Sequence, residues 1–324
     1  MEFLEKLTQT YSPSGDEALV RDVIANEVKP YADHIETDNM GNLIVRKKGT
    51  GKKLLLAAHM DEIGLMVNYI EENGFLRFAS VGYIKPYCAL YQRVVFKNGV
   101  TGIVAYEEKE DLKKDFDISK MYIDIGASDA KEAMEKVSLG DCAVFEGPLK
   151  TCGNLVTAKA LDNRIGVYVL VSVLKKLKDH TDDIYFVFSS QEELGLRGAK
   201  AAANSIAPHV SLCVDVTATG DTPNCNRMSV KVGEGPCIKF MDNTIITHSD
   251  VNQALKDAAS EKGIAVQYEV LTGGGTDAGA IHTSGAGVKT GAVSIPCRYI
   301  HTPSETVSLK DVEGATELVL GFIE

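Results

Sequence analysis

The sequence lacks the features that mark membrane-spanning and secreted proteins. No apolar run approaches the ~20 residues that a helix needs to cross a bilayer. Residues 1–6 contain no basic segment followed by a long apolar stretch, so we expect no signal peptide. The seven cysteines are scattered, without a CxxC pair. This odd, irregular set argues against a disulfide framework and predicts a protein of the reducing cytoplasm.

The sequence also has fewer basic than acidic residues. The chain has 34 Lys and Arg residues against 45 Asp and Glu residues, which gives a formal net charge of −11. A protein this acidic has no evident reason to bind nucleic acid or an anionic membrane, and we expect neither partner. Its 324 residues, 44% of them hydrophobic, suffice for a large core in one or two domains.

Two common motifs of enzyme active sites are missing. Neither Ser189-Ser190 nor Ser284 stands in a G-x-S-x-G nucleophile elbow. The glycines of residues 273–275 are not followed by the Lys-Ser/Thr pair of a phosphate-binding loop. The sequence therefore favours neither a serine hydrolase nor a nucleotide-binding protein of that type.

The pattern of apolar residues and turn signals changes twice along the chain. Residues 1–67 and 154–324 alternate apolar strands with helical stripes, which predicts one discontinuous α/β domain. Residues 68–153 contain the hairpin turns Asn73-Gly74 and Asn98-Gly99 and read as a small β-rich inserted domain. Within it, the charged segment from Glu107 to Lys120 predicts an exposed loop.

The first long helix has a recognisable beginning. Ser14 followed by Glu17 predicts a capping box, in which Ser14 caps the helix and Glu17 reaches back to it. Leu19, Val20 and Val23 then begin an apolar stripe of helical spacing.

Residues that bind metals follow several buried strands. They lie after apolar runs or just before a helix and are His59, Asp61, Asp162, Glu192, Glu193, Asp215 and His301. In an open α/β sheet, function collects beyond the carboxyl ends of the strands. Two histidines, two aspartates and a glutamate pair at such ends are typical of a two-metal hydrolytic centre.

Each of these signals has a plainer alternative. Side chains two apart on a strand point the same way, so Asp61 can orient the ring of His59 on a metal, but the pair also fits a surface turn. Asp162 precedes a helix and fits an N-cap. Adjacent Glu192 and Glu193 after an apolar strand are harder to explain as a solvated pair. One can bind metal while the other handles protons.

The remaining histidines carry a weaker signal. We expect His34, His180 and His209 to be solvated, and we favour a structural or solvated role for His248 and His282.

The full pattern resembles the TET (tetrahedral, or glutamyl) aminopeptidase family of co-catalytic metallopeptidases over essentially the whole chain. The matching segments are Ala58-His59-Met60-Asp61-Glu62-Ile63-Gly64, Ala160-Leu161-Asp162-Asn163-Arg164, Gln191-Glu192-Glu193-Leu194-Gly195-Leu196-Arg197-Gly198-Ala199, Asp215, Gly274-Gly275-Thr276-Asp277-Ala278 and His301-Thr302-Pro303-Ser304-Glu305. The resemblance implies a mixed-sheet α/β/α metallopeptidase domain with an inserted small β-barrel-like domain.

The resemblance also implies roles for these residues. The metal ligands would form two sets that share a bridging aspartate: His59, Asp162 and Asp215 for one ion, and Asp162, Glu193 and His301 for the other. Glu192 would be the general base, and Asp61 the partner that orients His59. The loop from Gly274 to Asp277 would lie near the substrate pocket.

The implied activity is removal of the N-terminal residue from short peptides with the help of two divalent ions. Zinc or cobalt fits mixed His and carboxylate ligands best. In this family the inserted domain supports dimers that build a hollow tetrahedral dodecamer, so a homo-oligomer is expected. Three rivals stay open: a two-metal deacylase of N-acylated amino acids, a glycosidase using paired carboxylates, and a non-catalytic assembly protein.

Overall fold

The structure, a computed structural model, describes residues 1–107, 116–225 and 227–324. Most of the charged loop predicted between Glu107 and Lys120 lies outside the described residues. The strands are β1 His34–Thr37, β2 Leu43–Lys47, β3 Lys53–His59, β4 Gly64–Ile70, β5 Leu76–Val81, β6 Arg93–Phe96, β7 Thr101–Tyr106, β8 Met121–Asp124, β9 Cys142–Phe145, β10 Lys150–Cys152, β11 Leu155–Ala158, β12 Asp183–Ser189, β13 Val210–Thr217, β14 Cys237–Met241, β15 Gln267–Val270, β16 Lys289–Arg298 and β17 Glu305–Ser308.

The helices are α1 Glu2–Gln9, α2 Ala18–Val28, α3 Pro86–Ala89, α4 Ala130–Lys136, α5 Leu161–Lys176, α6 Arg197–Ile206, α7 Ser249–Lys262, α8 Asp277–Ile281 and α9 Leu309–Ile323. Short 3₁₀ turns occupy Lys29–Tyr31 and Ile118–Lys120. In the described part of the chain, no helix combines the length and the apolar character needed to cross a membrane.

A large mixed sheet forms the centre of the α/β part. Its strands run in the order β1-β2-β12-β3-β13-β16-β17-β11-β10, and β14 with β15 extends it from β16. The central strands β12, β3, β13 and β16 are parallel to one another. Their carboxyl ends therefore meet at one edge, which is where polar residues were predicted to gather.

Helices cover both faces of this sheet because its central strands are apolar on both sides. In β3, Leu54 and Leu56 pack into a core that includes residues of α1, α2, α5, α7 and α9. Leu55 and Ala57 point the other way, into a core shared with α6 and α8. This alternation places the sheet between two helical layers and confirms the predicted α/β/α architecture.

The inserted part closes into a six-stranded antiparallel barrel. Its strands follow the order β4-β5-β8-β7-β6-β9, and the turns at Gly74 and Gly99 connect neighbouring hairpin strands with positive φ values of 87° and 88°. A separate apolar core fills it, including Leu65, Leu76 and Val94. The predicted barrel-like insertion is thus confirmed as a closed barrel.

The boundaries of the two parts differ from the expectation. The first barrel strand begins at Gly64, four residues before the predicted boundary at residue 68. At the other end, Lys150–Cys152 pairs with β11 in the main sheet, although the sequence placed residues up to 153 in the insertion. Strand pairing decides membership here, and the pairing partner is not visible in a local sequence pattern.

Candidate metal centre

The predicted metal-binding residues converge at the carboxyl edge of the parallel strands. His59 is the last residue of β3, and Asp215 lies near the end of the neighbouring β13. Glu192 and Glu193 follow β12, which pairs with β3 on its other side. The topology therefore brings three consecutive strand ends of the sheet to one place.

His59 forms the buried half of the cluster. Its Nε2 atom lies 3.1 Å from Asp162 Oδ1 and 3.8 Å from both Glu192 Oε2 and Asp215 Oδ1. The imidazole is 2% exposed. Three carboxylates thus surround a single ring nitrogen, an arrangement that suits a shared cation better than a set of ordinary hydrogen bonds.

His301 forms the second half of the cluster. Its Nε2 atom lies 3.1 Å from Glu193 Oε1 and 3.3 Å from Asp162 Oδ2. Asp162 therefore turns one carboxylate oxygen towards His59 and the other towards His301. Because these oxygens face different imidazoles, the Asp162 carboxylate lies between the two halves of the cluster.

The charge balance of the cluster fits divalent ions. Burial raises the pKa of Glu192 well above its ordinary value, and the charges of Glu193 and Asp215 act in the same direction against that of His59. Burial also raises the pKa of Asp215 well above its ordinary value. Carboxylates crowded at a buried site need positive charge to remain ionised, and divalent ions would supply it.

The donor atoms of the cluster also suit divalent ions. Ligand atoms within 4.8 Å of one another form two groups, His59 with Asp162 and Glu193, and His59 with Glu192 and Asp215. The mixture of imidazole nitrogens and carboxylate oxygens suits zinc and related transition metals. The buried Nδ1 atom of His59 makes no hydrogen bond to the described residues and lies 3.4 Å from Asp61 Oδ1. The residues present therefore fit a pair of divalent ions.

Asp61 contacts the cluster on the side of His59 that faces away from Asp162. Its carboxylate faces the Nδ1 side of His59 and also accepts the backbone N–H groups of Glu192 and Glu193, at 3.1 and 3.3 Å. Ser14 donates its hydroxyl proton to the same carboxylate at 2.6 Å. One buried aspartate thus ties the histidine, the glutamate pair and the N-terminal segment together.

The predicted capping box is wrong. Helix α2 begins at Ala18, and no side chain caps it. The hydroxyl of Ser14 is directed to Asp61, while the carboxylate of Glu17 accepts the backbone N–H groups of Gly15 and Gln191. These tertiary bonds displace the local cap because they satisfy buried groups around the candidate site.

The N-cap alternative for Asp162 also fails. Asp162 has non-helical angles, φ −78° and ψ 105°, and its side chain contacts the two histidines rather than a backbone N–H group of α5. By contrast, His248 caps α7 by accepting the N–H of Asp250, in line with the structural role favoured for it. His209 accepts the N–H of Lys53.

A cavity of ≈ 590 Å³ opens beside the cluster. Besides the predicted residues, it is lined by groups that the sequence did not single out: Tyr83, Lys85 and Cys88 of the barrel, and Thr217, Lys239 and Thr244 of the α/β part. No local motif marks these residues, because only the packing of the barrel against the sheet edge brings them to the cavity. Residues 273–276 line it as well, where the glycine-rich loop was expected.

Lys239 has an unusual environment in this wall. Its side chain is fully buried, and its Nζ lies 2.6 Å from Glu269 Oε1 and 3.5 Å from Asp242 Oδ2. Thr217 donates a further hydrogen bond to Glu269 Oε1 at 2.7 Å. A paired lysine thus stands next to the metal-binding cluster.

Comparisons with known proteins identify the family of this chain. Residues 41–318 match the family model described as M42 glutamyl aminopeptidase. A protein of Acetivibrio thermocellus is 49% identical over 322 residues, which cover 99% of this chain and 98% of that protein. The solved aminopeptidase APDkam598 of Desulfurococcus kamchatkensis is 38% identical with a TM-score of 0.96, over 100% of this chain and 94% of that one.

A third relative bears on assembly. The TET1 peptidase of Pyrococcus horikoshii is 36% identical with a TM-score of 0.88, over 99% of this chain and 98% of that one. Its structure is described as able to form a tetrahedron or a large octahedral shell.

Proposed function

The chain belongs to the M42 glutamyl aminopeptidase family, and on that premise we propose that it releases the first residue of short peptides at a centre of two divalent ions. Membership makes it an aminopeptidase, a hydrolase of peptide bonds, and the resemblance inferred from the sequence is confirmed. The roles of individual residues, the identity of the metal and the assembly are our proposals.

The observation that carries the proposal is the position of Asp162 between His59 and His301. One ion would be held by His59, Asp162 and Asp215, and the other by Asp162, Glu193 and His301. Zinc or cobalt suits these donors best. When bound, such ions supply Lewis-acid activation of water and of the scissile carbonyl.

Glu192 is the proposed general base. Its carboxylate lies in the cluster, 3.8 Å from His59 Nε2, and 11% of its side-chain surface remains exposed towards the cavity. We assign it to proton transfer rather than to metal binding. Its carboxylate would take a proton from the attacking water and return it to the departing amine. Asp61 would keep this base in place through its bond to the Glu192 N–H.

The cavity supplies the remaining requirements of an aminopeptidase. The free α-amino group of a peptide would bind at the metal centre, which would explain cleavage from the N-terminus only. Lining residues such as Leu196, Leu271 and Ile300 offer apolar contacts for the first side chain. A blocked α-amine would lose the first of these interactions.

We also propose that the chain forms a homo-oligomer, with dimers assembling into a tetrahedral dodecamer. The shells described for the P. horikoshii relative support this proposal. Exposed apolar side chains on the barrel, among them Tyr69, Tyr87 and Met134, at 58%, 63% and 60% exposure, suit a role of the barrel in dimerisation. All seven cysteines are free thiols, which supports the expected location in the cytoplasm.

The decisive experiment uses metal-stripped protein, tested before and after addition of zinc or cobalt. The substrates are free-amine and N-acetylated aminoacyl-anilides, together with a cello-oligosaccharide. Cleavage of the free-amine compounds alone, restored by metal, is the expected result. Cleavage of the acetylated compounds would identify a deacylase, and metal-independent cleavage of the sugar would identify a glycosidase. Failure to cleave any of them would favour an assembly protein.

A further inference from the structure

Glu305 connects two of the proposed metal ligands through one carboxylate. It is the first residue of β17 and is 2% exposed. Its Oε2 atom accepts the backbone N–H of Asp162 at 2.8 Å, and its Oε1 atom accepts the backbone N–H of His301 at 2.8 Å. Each oxygen therefore serves a different ligand.

We propose that Glu305 is a positioning residue, which sets the spacing between the bridging Asp162 and His301. The proposal rests on the two-ion function put forward above, because it concerns the same centre. Asp162 and His301 are 139 positions apart and arrive from different elements, so no local hydrogen bond can fix their separation. A single rigid carboxylate that accepts from both backbones can do so.

The surrounding backbone supports this role. Glu305 pairs with Ala158 in the antiparallel contact of β17 with β11, and β11 leads directly to Asp162. His301 has φ +62°, in the left-handed region that a non-glycine residue adopts at a cost. The hydrogen bond from its N–H to Glu305 helps to hold His301 in this conformation.

The charge of Glu305 adds a second argument. Among the described residues the carboxylate forms no ion pair, and its hydrogen-bond partners are the two backbone N–H groups. A buried carboxylate that no cation contacts is costly. The buried Lys159 acts on Glu305 electrostatically, but its ammonium group contacts Glu62. Divalent ions on Asp162 and His301 would add positive charge, so Glu305 would also strengthen their binding without touching them.

Asp311 offers a matched control. It too is fully buried, and its Oδ2 and Oδ1 atoms accept the backbone N–H groups of Gly233 and Gly235 at 2.6 and 2.8 Å. Neither glycine is a proposed ligand. Glu305→Gln and Asp311→Asn therefore make the same chemical change, replacing one acceptor oxygen by an amide that faces an N–H donor.

The test is a stepwise zinc titration of the metal-free full-length protein against a chromophoric chelator, with the visible spectrum of the cobalt form as a second readout. For Glu305→Gln we expect one of the two binding steps to weaken by about 10–100-fold, with a changed cobalt spectrum. We expect the larger loss of affinity for the ion held by Asp162, Glu193 and His301, since two of these three ligands contact Glu305. Asp311→Asn should bind both ions as the unchanged protein does.

Wild-type affinity in both steps for Glu305→Gln, or an equal loss in Asp311→Asn, would overturn the proposal. Binding of fewer than two ions by the unchanged protein would instead remove the two-ion function on which it rests. Should Glu305→Gln fail to fold, Glu305→Asp takes its place, because it keeps the charge but is one methylene too short to reach both N–H groups. The same selective loss is expected for it, and unchanged affinity would count against positioning.

Discussion

The barrel and the α/β part bury different kinds of side chain. The barrel interior is apolar, with residues such as Leu76, Val94 and Ile123 inaccessible to solvent. The α/β part also has a large apolar core, but at the carboxyl edge of its sheet it buries charged groups such as Asp215 and Lys239. Burial of charge is costly without partners. We therefore assign the barrel core to stability and the carboxyl edge of the α/β sheet to chemistry.

Buried charges within the α/β part differ in turn. Lys239 and Lys159 each lie within 2.6 Å of a glutamate oxygen, of Glu269 and Glu62 respectively, and so have partners within the chain. The carboxylates around His59 outnumber the imidazoles that face them. Charges that the chain satisfies by itself serve stability, whereas unmatched charges mark the place for a cation.

The largest effect should follow from neutralising the proposed base. Glu192→Gln should lower kcat by about 10²–10⁴-fold, because proton transfer is lost, while the stoichiometry of bound metal stays unchanged. Glu132→Gln, a carboxylate of the barrel that pairs with Lys136, is the control and should leave kcat unchanged. Steady-state kinetics with metal analysis measures both. Full activity in Glu192→Gln would exclude it as the base.

Removing a paired buried charge should affect stability strongly. Lys239→Met leaves Glu269 buried without its cation and should lower the free energy of unfolding by about 3–5 kcal/mol. Lys136→Met, which breaks the exposed pair with Glu132 on the barrel, should have a much smaller effect because solvent screens that pair. Denaturant unfolding compares the two. The double variant Lys239→Met/Glu269→Gln should regain part of the loss, and an additive loss would show that the pair is not coupled.

A cavity made in the barrel core should lower stability without changing metal binding. Leu76→Ala removes a fully buried side chain and should cost about 2–5 kcal/mol of stability. Because the barrel core is separate from the cluster, metal affinity at low temperature should remain that of the unchanged protein. A parallel fall in metal affinity would show that barrel packing and the centre are linked.

The smallest expected effect on stability comes from an ion pair of the α/β part and depends on pH. Arg298 forms a two-pronged ion pair with Asp221 and, by this hydrogen bonding, lowers the pKa of that carboxyl to about 2. An unfolded aspartate titrates near 3.9, roughly the reference value. Stability from this pair is therefore fully present above about pH 4 and lost as the pH falls towards 2.

Asp221→Asn should remove about 1 kcal/mol at neutral pH, after allowance for solvent screening. The difference from the unchanged protein should shrink between about pH 4 and pH 2. Thermal unfolding across this range measures it, and a difference that does not vary with pH would contradict the assignment to the ion pair.

Much of the fold could be predicted because its signals are local. Apolar runs identified β3, β12 and β13, and the Asn-Gly pairs marked two barrel hairpins, since these residues tolerate positive φ. Gly263 ends α7 with φ +65°, a conformation that glycine adopts readily.

Local pattern was insufficient where side chains serve distant partners. Ser14 and Glu17 looked like a capping box and instead hold Asp61 and the chain at Gln191. Glu305 belongs to the motif that begins at His301 but was predicted no role, since nothing in its neighbourhood reveals that Asp162 is its second partner. These contacts depend on the folded arrangement of several segments.

The sequence by itself determined which residues can bind metal and that they follow strands, because side-chain chemistry and apolar periodicity are properties of short segments. Only the tertiary structure decided that Asp162 turns one oxygen to each histidine, that Lys239 is paired in the cavity wall, and that the barrel contributes to that wall. Distances between remote segments arise from the packing of whole layers, and no short stretch of sequence contains them.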